Sequence, residues 1–413
     1  MTATRVLKAA TIVLAVGAWF AAAALLWRTQ VPASLAHPHL NAAAVFSDVQ
    51  LHRAARYDSV GRLLFLLGIA VELVVLGVLA LLGRRLATGF ALGEIGSGVM
   101  IGVAVSLFVW TATLPVGIVA EWWSRRYGIS KRGYAGFIGE QVTALGVQTA
   151  VVAVVLAILM LLAHRFRRRW WAVAAPLFVL VGAVFVVVAA LLAPIGTHPI
   201  RQPQVAAAVE RLEAREDVPD TEVRVDKVSD ETRSVNAMTL GVGPATVVIL
   251  WDTLFRSHLS NRAITFVSAH ELGHVARRHI WKGLAWGLLF AIPLTFLLAE
   301  ATRRLGGLHR AHVVPFALLV SSVLGLASMP LENVVSRRYE AEADWLALQA
   351  TRDPVAGREA FRSFTRVDLA DPDPPLWSYV LLDNHPTVMQ RLAMTRAWEV
   401  RNRSRDAPSP AGS

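Results

Sequence analysis

The feature that most limits this chain is a recurring apolar run long enough to cross a bilayer, which takes ~20 residues as a helix. Seven such runs occur, at about 9–27, 63–82, 98–120, 145–163, 171–193, 283–299 and 313–329. Only helices or closed barrels satisfy their backbone in lipid, so the pattern predicts a mainly α, multi-pass membrane protein. The first run follows Arg5 and Lys8 and exceeds the core of a signal peptide, so it reads as an anchor helix. Pro115, Pro176 and Pro293 fall inside runs, where membrane helices tolerate them as kinks. Glu72 is an acid within a run, and reads equally as a functional group or as a structural carboxylate satisfied by a partner. The balance of residues agrees: 55% are hydrophobic, 17% are charged and the mean hydropathy is +0.48, where soluble domains are nearer a quarter charged. The net charge of +11 does not mark a nucleic-acid binder. Arginines such as Arg84-Arg85 and Arg167-Arg168-Arg169 cluster at run ends, where they anchor helices at the interface, and no basic face alternates with aromatics.

The runs divide the chain. Residues 1–195 hold five membrane helices, with a polar, aromatic loop at 121–141 that reads as interfacial. Residues 196–282 are polar and change period. Helical spacing covers 204–216, and Val223 and Val225 alternate with Arg224 and Asp226 in a strand pattern over 221–228. A β-hairpin is expected from Ser234 through a Gly-Val-Gly-Pro turn to Trp251. Residues 283–330 hold the last two membrane helices, 331–401 form a second polar segment, and 402–413 are a tail of Arg, Ser, Pro and Gly that reads as disordered.

Within this frame lies His270-Glu271-Leu272-Gly273-His274. Residues four apart share a helix face, so the two imidazoles can meet one metal with Glu271 beside them as general base. The chain has no cysteine, so a zinc site must be built from His, Asp or Glu. The helix is expected from Asn261 to His279, capped by Ser260 or Asn261. His279 then points roughly 140° away from His274 and is poorly placed as a ligand. The extended motif also fails, because Arg277 stands where it requires glycine. The third ligand must come from elsewhere. Glu340 and Asp344 stand one helical turn apart, with Glu342 on another face. Glu340 is taken as the ligand and Asp344 as an acceptor fixing the tautomer of a ligating histidine. By themselves these acids equally fit a solvated face paired with Arg337 and Arg338. An edge strand before the motif helix can pair with an extended substrate, or the sheet merely packs there. His385, held outside a helix by Pro386, either donates to a developing oxyanion or simply caps and packs.

Taken together, His270-Glu-Leu-Gly-His274, Ser336-Arg-Arg-Tyr-Glu340-x-x-Ala-Asp344 and His385-Pro386 resemble the integral-membrane zinc metalloproteases of the CAAX prenyl protease 1 family. The heat-shock membrane metalloproteases are shorter relatives of that family. The hairpin of Asn236-Ala237, Asp252-Thr253-Leu254 and the Arg126-Tyr-Gly-Ile loop are similar to the same pattern. The resemblance implies a zincin-like metalloprotease domain with a small sheet, and about seven membrane helices enclosing a chamber. It implies one Zn2+ per chain held by His270, His274 and Glu340, and Glu271 as base and acid. It also implies Asn333 near the site, substrate backbone on Asn236-Ala237, and His385 stabilising the transition state.

The expected function is a membrane-embedded zinc endopeptidase acting on hydrophobic or lipidated peptides or membrane proteins, as a monomer in the bilayer. The alternatives are a membrane-protein quality-control protease and, from another class, a seven-helix transporter or receptor with a structural zinc. Orientation carries a conflict. Arg84-Arg85, Arg165 to Arg169 and Arg303-Arg304 would place their own face in the cytoplasm, opposite the catalytic segments. The resemblance implies cytoplasmic catalytic segments, and Arg53, Arg56, Arg125, Arg126, Lys131 and Arg132 weaken the bias. The expectation follows the resemblance.

Overall fold

The computed structural model describes residues 3–35, 38–218 and 221–406. The first half is helical: α1 (Ala3–Leu26), α2 (Asp48–Leu81), the short α3 (Gly83–Ala87), α4 (Gly93–Arg126), α5 (Tyr134–Phe166) and α6 (Trp170–Leu192). Several helices outrun their apolar cores. α2 is 34 residues long because Ser47 and Gln50 cap it reciprocally, well before the apolar run begins. Five helical stretches are long and apolar enough to cross a membrane: Asp48–Leu81, Gly93–Arg126, Tyr134–Leu192, His279–Arg303 and Ala311–Thr351. The third comprises α5 and α6, joined by a turn at Arg167–Arg169, so these stretches contain six of the expected runs. The remaining run is the shorter apolar helix Val13–Leu26, which makes the count of seven approximate. Pairing between helices relies on small residues. A Cβ on Gly98 or Gly102 of α4 would lie 2.4 Å from Met160 Sδ or 2.1 Å from Leu156 Cδ1 on α5. Outward faces stay apolar, as at Leu81 (89% exposed) and Phe185 (65%), which suits lipid. Glu72 accepts from Ser322 Oγ at 2.7 Å, so this acid has a structural partner.

The second half sets α7 (Pro203–Arg215) and a four-stranded sheet against further helices. The strands are β1 (His198–Pro199), β2 (Glu222–Asp226), β3 (Ala237–Leu240) and β4 (Val247–Trp251), in the order β1-β2-β4-β3. β2 runs parallel to β4, and β3 pairs antiparallel with β4, placing Ala237 opposite Leu250. The expected hairpin is thus present, with β3 at the sheet edge. Gly241, at φ +86, makes its turn. Met238 and Leu240 of β3 pack near Ala190 of α6, so the sheet is seated on a membrane helix. Backbone bonds from Lys131 to Glu231 and from Arg233 to Ile129 fasten the α4–α5 loop to the same half.

The remaining helices are α8 (Asn261–Ala276), α9 (His279–Arg303), α10 (Val314–Thr351), α11 (Pro354–Arg366), α12 (Leu376–Leu381) and α13 (Val388–Asp406). A buried core of Val205, Val209, Leu250, Phe266, Leu272, Leu348, Phe361 and Leu392 joins α7, β4, α8, α10, α11 and α13. Residues 268–273 of α8 are all buried within this packing.

Three expected boundaries are corrected. The division at residue 330 falls inside α10, a single 38-residue helix. Pro330 removes one backbone donor without ending a helix that is packed along its length. The motif helix does not reach His279. α8 ends at Ala276, Arg278 turns left-handed at φ 53, and α9 starts at His279. The final helix passes Arg401 to Asp406, since no proline or glycine interrupts the sequence before Pro408. Residues 407–413 of the expected tail lie outside the described residues.

Candidate metal centre

α8 and the C-terminal half of α10 carry the site, with Ser260 capping α8 by accepting from the Ala263 amide. His270 and His274 lie one turn apart with their Nε2 atoms separated by 3.2 Å. Glu340 reaches both from α10: Oε2 is 3.3 Å from His270 Nε2, and Oε1 is 3.5 Å from His274 Nε2. Among the described residues these three form a metal-ligating group, their donor atoms all within 4.8 Å of one another. Glu340 Oε2 is buried and faces the Nε2 atoms of His270 and His385 at 3.3 and 3.2 Å without a well-formed hydrogen bond, as expected of an oxygen kept for a cation. Two imidazoles and one carboxylate, in a chain without thiols, fit zinc.

The supports of the site come from elsewhere in the chain. Asp344 Oδ1 lies 2.9 Å from His270 Nδ1, and Arg391 of α13 grips Asp344 at 2.6 and 2.8 Å. Burial works against a charged His270, but the Asp344 and Glu340 carboxylates outweigh it and raise its pKa to about 10. The neighbouring His274 shifts the other way, lowered chiefly by burial, so the carboxylates favour positive charge at His270 in particular. Glu271 is buried and accepts from Thr239 Oγ1 at 2.8 Å, which ties it to the edge strand. Alternation along β3 puts Ala237 and Thr239 on the same face, toward α8. Asn236 precedes the strand, and its carbonyl accepts from the Trp251 amide. His385 Nε2 is 3.2 Å from Glu340 Oε2, while its Nδ1 sits 2.7 Å from Asn384 Oδ1. The Asn333 amide donates to the Leu381 carbonyl at 2.8 Å, so it holds the segment leading to His385 rather than touching a ligand.

Thr239 and Arg391 had no role in the sequence pattern. A threonine two residues beyond Ala237 on an edge strand is the one local signal for the first; the second carried none. His279 is not among the converging ligands, as expected, but the reason differs. Because α8 breaks at Arg278, the ring returns to 3.0 Å from His274 Nδ1 instead of facing away. Its other nitrogen lies 3.0 Å from Glu342 Oε2.

Open space meets the centre from several sides. A cavity of about 540 Å³ touches His274 and Glu340 and is walled by apolar side chains such as Phe178, Trp286, Phe290 and Leu294. One of about 70 Å³ lies over Ala237, His270 and Glu271. Another of about 380 Å³ runs past Asn236 and His385. Open space thus lies on either side of the group of His270, His274 and Glu340, and beside Asn236 and Ala237.

The chain is similar to known proteins. Residues 199–399 match the family profile described as Peptidase family M48. Residues 22–200 match that of the CAAX prenyl protease N-terminal region, five membrane helices. An uncharacterized metalloprotease of Bacillus subtilis, YhfN, is 24% identical over 88% of this chain and 89% of its own. A protease HtpX homolog of Pseudarthrobacter chlorophenolicus is 26% identical over 42% of this chain and 58% of its own. The crystal structure of S. mikatae Ste24p has the same fold, with a TM-score of 0.71 at 17% identity, covering 91% of this chain and 96% of that one.

Proposed function

We propose, since this chain belongs to the CAAX prenyl protease-like branch of peptidase family M48 and is a membrane metalloendopeptidase, that it cleaves apolar peptides by zinc-dependent hydrolysis. The observation that carries this reading is the convergence of His270, His274 and Glu340 from two helices beside a buried Glu271. One zinc per chain, held by those three residues, would act as a Lewis acid on the scissile carbonyl. Glu271 takes the proton of the attacking water and passes it to the leaving amine. Thr239 keeps the Glu271 carboxylate aimed, through its 2.8 Å hydrogen bond. The unpaired edge of β3, at Asn236-Ala237, binds substrate backbone as an added strand. His385, its Nδ1 beside Asn384 Oδ1, directs Nε2 at the site to donate to the developing oxyanion when protonated, a form that burial disfavours and the nearby Glu340 carboxylate favours. Asp344 fixes the tautomer of His270. Asn333 steadies the approach to His385.

The apolar walls of the 540 Å³ cavity favour hydrophobic or lipidated substrates, including segments of membrane proteins. The chain acts as a monomer with its catalytic half in the cytoplasm; a reporter fused after Arg401 tests that side. Chelation of the purified full-length protein should abolish cleavage of an apolar reporter peptide, and one equivalent of zinc should restore it. Cleavage by metal-free protein would contradict the proposal. A lipidated peptide compared with its unlipidated twin tests the substrate class, with a lower KM expected for the first.

A further inference from the structure

The two ligand histidines are supported differently. His270 is backed directly by a carboxylate, Asp344, at 2.9 Å. At His274 the Nδ1 atom instead meets a second imidazole, His279 Nδ1, at 3.0 Å. Behind it, His279 Nε2 lies 3.0 Å from Glu342 Oε2. Glu342 is wholly buried. Its Oε1 accepts from Arg277 Nε at 2.9 Å and from the Gln30 backbone amide at 2.8 Å, and Lys282 Nζ stands 3.5 Å from Oε2. Tyr339 stacks on His279 with ring centroids 4.7 Å apart and planes 15° from parallel.

The proton positions along this line are forced once His274 binds a metal through Nε2. A neutral imidazole has one N–H, so His274 then carries it on Nδ1 and donates to His279. His279 Nδ1 must accept, which leaves its own hydrogen on Nε2, facing the Glu342 carboxylate. Each atom has one compatible role, and each is held. Reversing the first bond would put the His274 proton on the nitrogen that faces Glu340 and His270.

We propose that His279 and Glu342 are positioning residues that fix the tautomer and ring plane of His274 for zinc. The far end of the line is anchored by the chain leaving α1. Besides the Gln30 amide, the carbonyls of Leu26 and Trp27 accept from Tyr339 and Arg338 of α10. The exit of the first membrane helix is therefore part of the support of the metal centre. This inference rests on the reading of His270, His274 and Glu340 as zinc ligands.

Outer hydrogen-bond partners of this kind typically matter by about 10- to 100-fold in metal affinity. Zinc affinity of the full-length protein in detergent, measured by competition with a chelator of known affinity, tests the idea without reading activity. His279→Phe keeps a ring for Tyr339 to stack on but removes both hydrogen bonds, and should bind zinc about 10- to 100-fold more weakly. His279→Asn, which can accept and donate, should recover part of that loss. Wild-type affinity in His279→Phe would overturn the proposal, because a packing role survives that change. If His279→Phe does not fold, Glu342→Gln decides the matter. It preserves shape but removes the charge that Arg277 and Lys282 also face and turns one acceptor oxygen into an amide donor, so several-fold weaker binding is expected and unchanged binding overturns the inference. His270→Ala serves as the control: zinc retained by that variant would refute the ligand assignment itself, a failure distinct from that of the His279 line.

Discussion

The membrane half and the catalytic half of this protein are held together by different means. In the first, large apolar side chains such as Phe185 point outward, and helices meet through glycines at Gly98 and Gly102. In the second, the apolar residues turn inward, and among them sit wholly buried ionisable groups, Glu342 and Asp344. Burying a charge is costly unless it is paired and hydrogen-bonded. The pairing here is dense, and it is centred on the group of His270, His274 and Glu340. Stability and the architecture of the site are therefore the same thing in the catalytic half and separate things in the membrane half.

Arg391→Ala should break that coupling most severely. It strips two hydrogen bonds from a fully buried Asp344, and removing one partner of such a pair costs about 3–5 kcal/mol. Thermal unfolding and zinc content should fall together. A fall in one without the other would show that stability and the metal site are separable in the catalytic half. Gly241→Ala comes next. Its Cβ would lie 2.0 Å from the Ala245 carbonyl oxygen at a φ of +86, a strain of about 1–3 kcal/mol. The turn would shift β3, so peptide cleavage should drop further than melting temperature, because Thr239 and Glu271 would separate.

Glu216 is the exception that sharpens the contrast. Both its carboxylate oxygens are buried without a hydrogen-bond partner, and burial raises its pKa to about 8 from 4.5. The folded state then holds a proton that the unfolded chain releases above pH 4.5. The stability it favours is full below that value and is lost as pH rises through about 8. Glu216→Gln should melt like wild type near pH 5 and at higher temperature than wild type near pH 8; parallel pH profiles would contradict this. The smallest effect belongs to the membrane half. Phe185→Ala, on a face left 65% exposed, should change stability in detergent by less than about 0.5 kcal/mol. A larger loss would show that this face has a protein partner.

What the sequence displays follows the same divide. The apolar runs are legible because bilayer thickness sets their length, and His270, His274, Glu340 and Asp344 because helical spacing brings each pair onto one face. Contacts made across the fold leave no such trace. Thr239 and Glu271 are 32 residues apart, Asp344 and Arg391 47, and His279 and Glu342 63. The break at Arg278 is silent too. Val-Ala-Arg-Arg-His contains neither proline nor glycine, so local preference runs the helix through His279, and only the packing of α8 and α9 turns it. In the same way α10 looks like two elements, an apolar run and a charged helix, although it is one rod that carries Glu340 from the membrane to the histidines.

In the proposed mechanism, a zinc centre at His270, His274 and Glu340 hydrolyses peptides with Glu271 as its base. Zinc content and peptide cleavage, measured side by side on purified wild type and Glu271→Gln, test it most directly. One zinc per chain is expected in both proteins, with cleavage reduced at least about 10²-fold in the variant, the scale of a lost general base. Cleavage by Glu271→Gln at the wild-type rate, with zinc in place, would contradict it.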